Sequence, residues 1–140
     1  MKSTLIILFT LCAAAATAQN TVVARVSQFE NNRGICRACI FNSEAGFTAS
    51  KPVACVQGNI TNKTSEISFT NFPDGQYAIF IFHDVNGNNK MDKNFLGIPK
   101  EGYGASGNKL PFAAAPRFKD NAFTISGGVS KTLVIRLRNL

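Results

Sequence analysis

Along most of this chain apolar and polar residues alternate in short runs, the period of extended strands that bury one face. Between Thr21 and Val26 the apolar set is Val22, Ala24 and Val26, with Arg25 opposite. Glu30-Asn31-Asn32-Arg33-Gly34 is turn material, and Ile35 to Phe41 resumes the alternation with Cys36, Ala38 and Ile40 on one side. A polar excursion from Asn42 to Pro52 follows. Val53–Val56, Gly58–Ile60 and Glu66–Phe69 read as shorter strands, joined by turns at Gln57-Gly58 and Asn62-Lys63. Pro73-Asp74-Gly75 is a tight-turn signal. Gln76 to Phe82 is apolar at almost every position, which predicts a central strand covered on both faces. Ala122–Ile125 and Thr132–Leu137 are expected to close the domain as a hairpin across Gly127-Gly128. No stretch after the first residues has sustained helical periodicity. About seven short strands at regular spacing predict an all-β fold, a small single-domain β-sandwich.

The N-terminus has a different character. Lys2 precedes an apolar run, Leu5 to Ala16, that is too short for a stable membrane span, and Ala16-Thr17-Ala18 fits the small-x-small cleavage rule. Residues 1–18 are therefore expected to be a signal peptide and residues 19–140 the folded domain. The chain should be exported: periplasmic, outer-membrane-associated or secreted. No later segment is apolar enough to be a transmembrane helix. Twelve phenylalanines and no tryptophan point to a core of Phe, Ile and Val. The formal net charge of +7 comes from bases scattered singly, at Arg25, Arg37, Lys51, Lys63, Lys100 and Arg136 among others. Dispersed charge favours solubility and weak attraction to anionic envelope material, and does not indicate nucleic acid as a partner.

Three cysteines, Cys36, Cys39 and Cys55, follow the leader. An oxidising compartment makes a bridge expected. Strand alternation puts Cys36 and Cys39 on opposite faces, so either one pairing with Cys55 is favoured over their bonding to each other. A redox role for Cys36-Arg37-Ala38-Cys39 would need a helix N-terminus to lower a thiol pKa, and the surroundings read as strand.

The candidate chemistry is concentrated where the apolar strand runs out, in His83-Asp84-Val85-Asn86-Gly87-Asn88-Asn89-Lys90-Met91-Asp92. Read as a calcium loop, Asp84, Asn86, Asn88 and Asp92 occupy ligand positions one, three, five and nine, and Lys90 would supply the position-seven carbonyl. Glycine is at position four rather than six, Phe95 stands where a bidentate glutamate belongs, and no helices flank the loop. Glu101 is the candidate for the missing carboxylate. With few carboxylates, Ca2+ would bind weakly, with a Kd of about 10⁻⁴–10⁻³ M. The alternative is a turn whose Asn and Asp side chains satisfy their own backbone without an ion. Magnesium suits the loop less well, since it demands rigid octahedral geometry, and zinc is disfavoured because His83 is the only histidine.

These residues also carry a resemblance. Asp74 to Ile79, His83 to Asn88 through Asp92, and Leu96-Gly97-Ile98-Pro99-Lys100-Glu101-Gly102-Tyr103-Gly104-Ala105-Ser106 resemble the hallmark segment of domain-of-unknown-function family 2141. Gly34 to Phe41 and Pro116 to Phe123 fit the same family. The resemblance implies an exported bacterial protein with a β-sandwich of immunoglobulin or transthyretin type, and it implies no reaction. Asn89 departs from the family's frequent glycine, and the cysteines flanking Arg37 are not part of the shared pattern.

Three functions are then in view. The first is a non-catalytic exported module whose ion-ordered loop presents Gly97 to Asn108 to an envelope protein or glycan, with Lys100, Tyr103 and Ser106 as exposed contacts. The second is a small envelope hydrolase using His83, Asp84, Asp92 and Glu101; a carboxylate pair can cleave glycosides at a defined separation, but nothing in the sequence marks a cleft. The third is a structural assembly subunit, with a sheet edge accepting a partner strand.

Overall fold

The computed structural model describes residues 19–140, and the expected signal peptide lies outside the described residues. The strands are β1 (Asn20–Ser27), β2 (Ile35–Phe41), β3 (Ala54–Gly58), β4 (Thr64–Phe72), β5 (Gly75–Asp84), β6 (Tyr103–Ala105), β7 (Phe123–Ile125) and β8 (Ser130–Arg136). They form two sheets, β4-β1-β8 and β3-β2-β5-β6, and β7 pairs with β5 beyond β6. The result is an all-β sandwich with eight strands. Among the described residues no helix is long and apolar enough to cross a membrane.

Alternation builds the core as the pattern requires. Val22, Ala24 and Val26 of β1, with Ile67, Phe69 and Ile135, meet Cys36, Ala38, Ile40, Tyr77, Ile79 and Ile81 from the facing sheet. The other side is exposed on β4 and largely half-buried on β1, with the Arg25–Glu66 ion pair on it at 3.1 Å. Such a pair contributes little in water. Strand β5 is buried along nearly its whole length, as its continuous apolar run predicts. Its second face is covered by two short helices, α1 (Glu44–Thr48) and α2 (Phe118–Asn121). Phe47 of α1 meets Phe41, Phe80 and Phe118 edge-on, forming a small satellite core. Ser43 starts α1 by accepting the Gly46 N–H at 3.1 Å, a short N-cap inside what the sequence reads only as a polar excursion.

Three expectations are corrected. β7 and β8 are not a hairpin: β7 pairs with β5, whereas β8 runs parallel to β1 in the other sheet. Gly127 and Gly128, both at positive φ, turn the chain between sheets instead of back along one. The strands expected around Gln57-Gly58 are a single strand, β3, with no turn there, and Ile60 is buried outside any strand. The turn at Asn62-Lys63 is present, both residues at positive φ, between the bridged Thr61 and Thr64.

Cys39 and Cys55 stand directly opposite each other on β2 and β3 and form a disulfide, their Cα atoms 4.1 Å apart. Closing a loop of 16 residues stabilises by about 3 kcal/mol. Cys36 is free and buried on the inner face. Burial pushes its thiol up from 9.0 to about 11, with the neighbouring Ser65 hydroxyl pulling weakly the other way. That hydroxyl has no hydrogen-bond partner of good geometry.

Candidate functional site

The segment linking β5 to β6, Val85 to Gly102, is long for a connection within one sheet, and its own side chains organise it. Asp84, the last residue of β5, is completely buried. A buried carboxylate must be matched by donors, and here three backbone N–H groups supply them. Oδ1 accepts from Gly87 (2.8 Å) and Asn88 (3.1 Å), and Oδ2 from Asn89 (2.8 Å). Glu101, also buried, joins the two ends of the segment: Oε1 accepts the Val85 N–H and Oε2 the Asp92 N–H, each at 3.1 Å. Between them, Asp92 accepts the side-chain amides of Asn86 (2.6 Å) and Asn88 (2.9 Å). The oxygens of those amides accept the N–H groups of Asn88 and Lys90, two residues on in each case.

Asp84, Asn86, Asn88, Asp92 and Glu101 are thus brought together. Their oxygens are directed at N–H groups of the loop, and Lys90 is an exposed member of the same turn. Among the described residues no three His, Cys, Asp or Glu side chains are grouped closely enough to share a metal ion. None of the three carboxylates is in an ion pair among the described residues.

His83 points to the other face, into the core, where its ring meets Phe29 edge-on at 5.2 Å. Its Nε2 lies 2.6 Å from the Arg33 carbonyl, which can only accept, so the imidazole donates there. It therefore fastens the β1–β2 turn. The residue after Arg33 is Gly34, at φ +69°; a Cβ there would collide with the Asp84 carbonyl and lie 2.6 Å from the Val85 Cα. Only glycine lets this turn lie against the start of the loop. Arg37 and Gln57, on neighbouring strands, both donate to the Asn89 side-chain oxygen, at 2.9 and 2.7 Å.

The far half of the segment folds back as a miniature hairpin. Lys93 bridges Pro99, and Asn94 accepts from Leu96 and Ile98 through its side chain while its own N–H reaches the Ile98 carbonyl at 2.9 Å. Gly97, at φ +76°, makes the tip turn possible. That tip carries Phe95, Leu96 and Ile98, which are 96%, 68% and 46% exposed. The sequence reading missed these three as a group, although an Asn-x-x-Gly turn flanked by apolar residues was there to be seen.

Lys100 is exposed, as expected of a contact residue. Tyr103 and Ser106 are corrected: both are buried, so neither is an exposed contact. The Tyr103 ring stacks on Phe80 at 6.0 Å. The Ser106 hydroxyl accepts the Ile79 N–H and donates to the Asn121 carbonyl, which ties β6 and α2 to β5. Within the stretch from Gly97 to Asn108, residues 101–106 are buried, so the apolar tip exposed by this segment lies in Lys93–Lys100, beside the exposed turn at residues 86–90. A shallow surface depression lined by residues such as Arg25, Ser65 and Val134 lies on the β4-β1-β8 sheet and includes none of these residues.

The fold and site together define an all-β sandwich with one ordered, apolar-tipped loop on a sheet end. The model of the family described as uncharacterized protein conserved in bacteria (DUF2141) matches residues 24–132, and the chain belongs to that family. No curated protein and no solved structure matches the chain.

Proposed function

We propose that the protein is an exported, non-catalytic binding module that engages envelope material through the Lys93–Lys100 tip. The observation that carries this reading is the exposure of Phe95, Leu96 and Ile98 on a loop with a fixed shape. Three large apolar side chains in water on one turn have a solvation cost that an unbound surface does not repay. The buried carboxylates support the non-catalytic part: Asp84 and Glu101 hold backbone N–H groups, and His83 is closed off in the core. Export rests on the leader-like residues 1–18 and on the disulfide, which belongs to oxidising compartments.

The test is retention of purified protein on an envelope preparation containing membrane and cell-wall glycan. Phe95→Asp/Leu96→Asp should lose retention with an unchanged melting temperature. Equal retention of wild type and variant would remove the tip as the contact. Hydrolysis of a glycan or ester panel, abolished by Glu101→Gln, would replace the module reading with the hydrolase one.

Calcium is the second reading, carried by the convergence of Asn86 and Asn88 on Asp92. Turning those amides over would offer oxygen where nitrogen now donates, so Asn86, Asn88, Asp92 and the Lys90 carbonyl would hold the ion, with Asp84 and Glu101 framing them. Bound Ca2+ would supply positive charge to the loop and stiffen it. A rise in melting temperature with millimolar calcium over EDTA in wild type, lost in Asp92→Asn, is the expected result. Superimposable curves would leave the hydrogen bonds as the only source of order.

A further inference from the structure

Resting on that reading of the tip, we propose that its target is an anionic phospholipid bilayer, with Phe95, Leu96 and Ile98 entering the interface and Lys90, Lys93 and Lys100 meeting lipid phosphates. Charge, backbone closure and a fixed shape together point to lipid.

The first is charge. All three lysines are exposed, and none is in an ion pair among the described residues. The acids of the same segment are turned inward: Asp84 and Glu101 are buried, and Asp92 is half-buried under two amides. The loop thus shows an apolar point among cations, with its negative charge withdrawn. Each such lysine is drawn toward a negatively charged leaflet, over a range that salt shortens.

The second is the backbone. From Asn94 to Lys100, every backbone N–H except that of Phe95 has an acceptor inside the loop. Asn94 N–H reaches the Ile98 carbonyl, Gly97 the Asn94 carbonyl and Lys100 the Asp92 carbonyl, while Leu96 and Ile98 share the Asn94 side chain. Pro99 has no N–H to satisfy. A surface turn in water needs no such closure, because solvent would supply it. A turn that moves into a membrane interface gains from it, since its N–H groups lose no partner there, while carbonyls such as those of Leu96 and Gly97 stay free to accept from water at the headgroups. A protein partner adding a strand would instead require free N–H groups, and this tip has almost none to give.

The third is shape. The tip is held by its own bonds and anchored below by Asp84 and Glu101, so insertion does not require ordering a slack loop. Three side chains and three charges suit reversible association at an interface, far short of a membrane span.

The experiment is co-sedimentation of purified protein with vesicles of phosphatidylcholine alone and of phosphatidylcholine with about one-third phosphatidylglycerol. Wild type should partition at least about tenfold better onto the anionic vesicles, and added salt should weaken binding. Phe95→Asp/Leu96→Asp and Lys93→Glu/Lys100→Glu should each abolish the preference while melting like wild type. The chain has no tryptophan, so Phe95→Trp supplies a clean reporter whose emission should shift to the blue on anionic vesicles only. Absence of that shift, or equal sedimentation of wild type and the aspartate variant, would overturn the proposal. If the tip still governed retention on whole envelope while vesicles were ignored, the lipid inference would fall and the binding module would stand. If the tip governed neither, both would fall.

Discussion

Asp74, just before β5, and Asp84, its last residue, use the same carboxylate chemistry over very different distances along the chain. Asp74 accepts the Asn20 side-chain amide at 2.8 Å and the Gly127 N–H at 3.0 Å. Those partners are 54 and 53 residues away, and Asn20 itself also joins the Phe72 carbonyl to the Val129 N–H. Asp84 accepts from residues only three to five positions on. One end of the strand is a knot between distant segments; the other is a local clasp. Breaking the knot should loosen the whole sandwich, whereas breaking the clasp should free the loop and leave the sheets standing.

That contrast can be broken or sharpened by substitution. Asn20→Ala should have the largest global effect, lowering stability by about 3 kcal/mol by denaturant unfolding, because it orphans a buried carbonyl and an N–H and leaves Asp74 short of a donor. High pH should come next. The Cys36 thiol, opposite His83 at the loop end of the core, titrates at about 11 when folded against 9.0 ordinarily. Its contribution is therefore whole below pH 9 and is lost as the pH climbs through 11, by about 2–3 kcal/mol. Substituting Cys36→Ala should flatten that alkaline decline.

Asp84→Ala should cost about 1–2 kcal/mol globally, since its partners can turn to water once the loop opens. Its signature is local: amide exchange at Gly87, Asn88 and Asn89 should quicken to near the unprotected rate while β1 and β5 keep their protection. Uniform loss of protection in this variant would erase the distinction between the two ends. Asn94→Ala should be the mildest, within about 1 kcal/mol, with faster exchange at Leu96 and Ile98 only.

The strands themselves were legible because burial on one face leaves a period-two signature, clear in Val22-Ala24-Val26 and in Cys36-Ala38-Ile40. The same alternation narrowed the disulfide to two choices, and strand register then selected Cys39. Partnership was not legible for β7 and β8. Two glycines announce a change of direction, but which sheet receives the next strand depends on residues more than a hundred positions away. At the site, the ligand-like spacing of Asp84, Asn86, Asn88 and Asp92 was visible; the N–H groups they serve were not, because a pattern of side chains does not report where the backbone turns. Tyr103 and Ser106 were misread for a related reason. A polar or aromatic residue in a glycine-rich run resembles a contact until β6 is found to carry Tyr103 inward and the Ile79 N–H and Asn121 carbonyl to hold Ser106 just after it.

The pairing of β1 with β8 has one more consequence. The first strand of the domain lies alongside its last, and the Thr21 N–H already reaches the Val129 carbonyl. The β4-β1-β8 sheet is therefore incomplete until almost the entire polypeptide is present. Folding must await a long-range closure, which makes it slow compared with locally wired domains. A chain built this way stays pliable through most of its synthesis, until its last strand can settle beside its first.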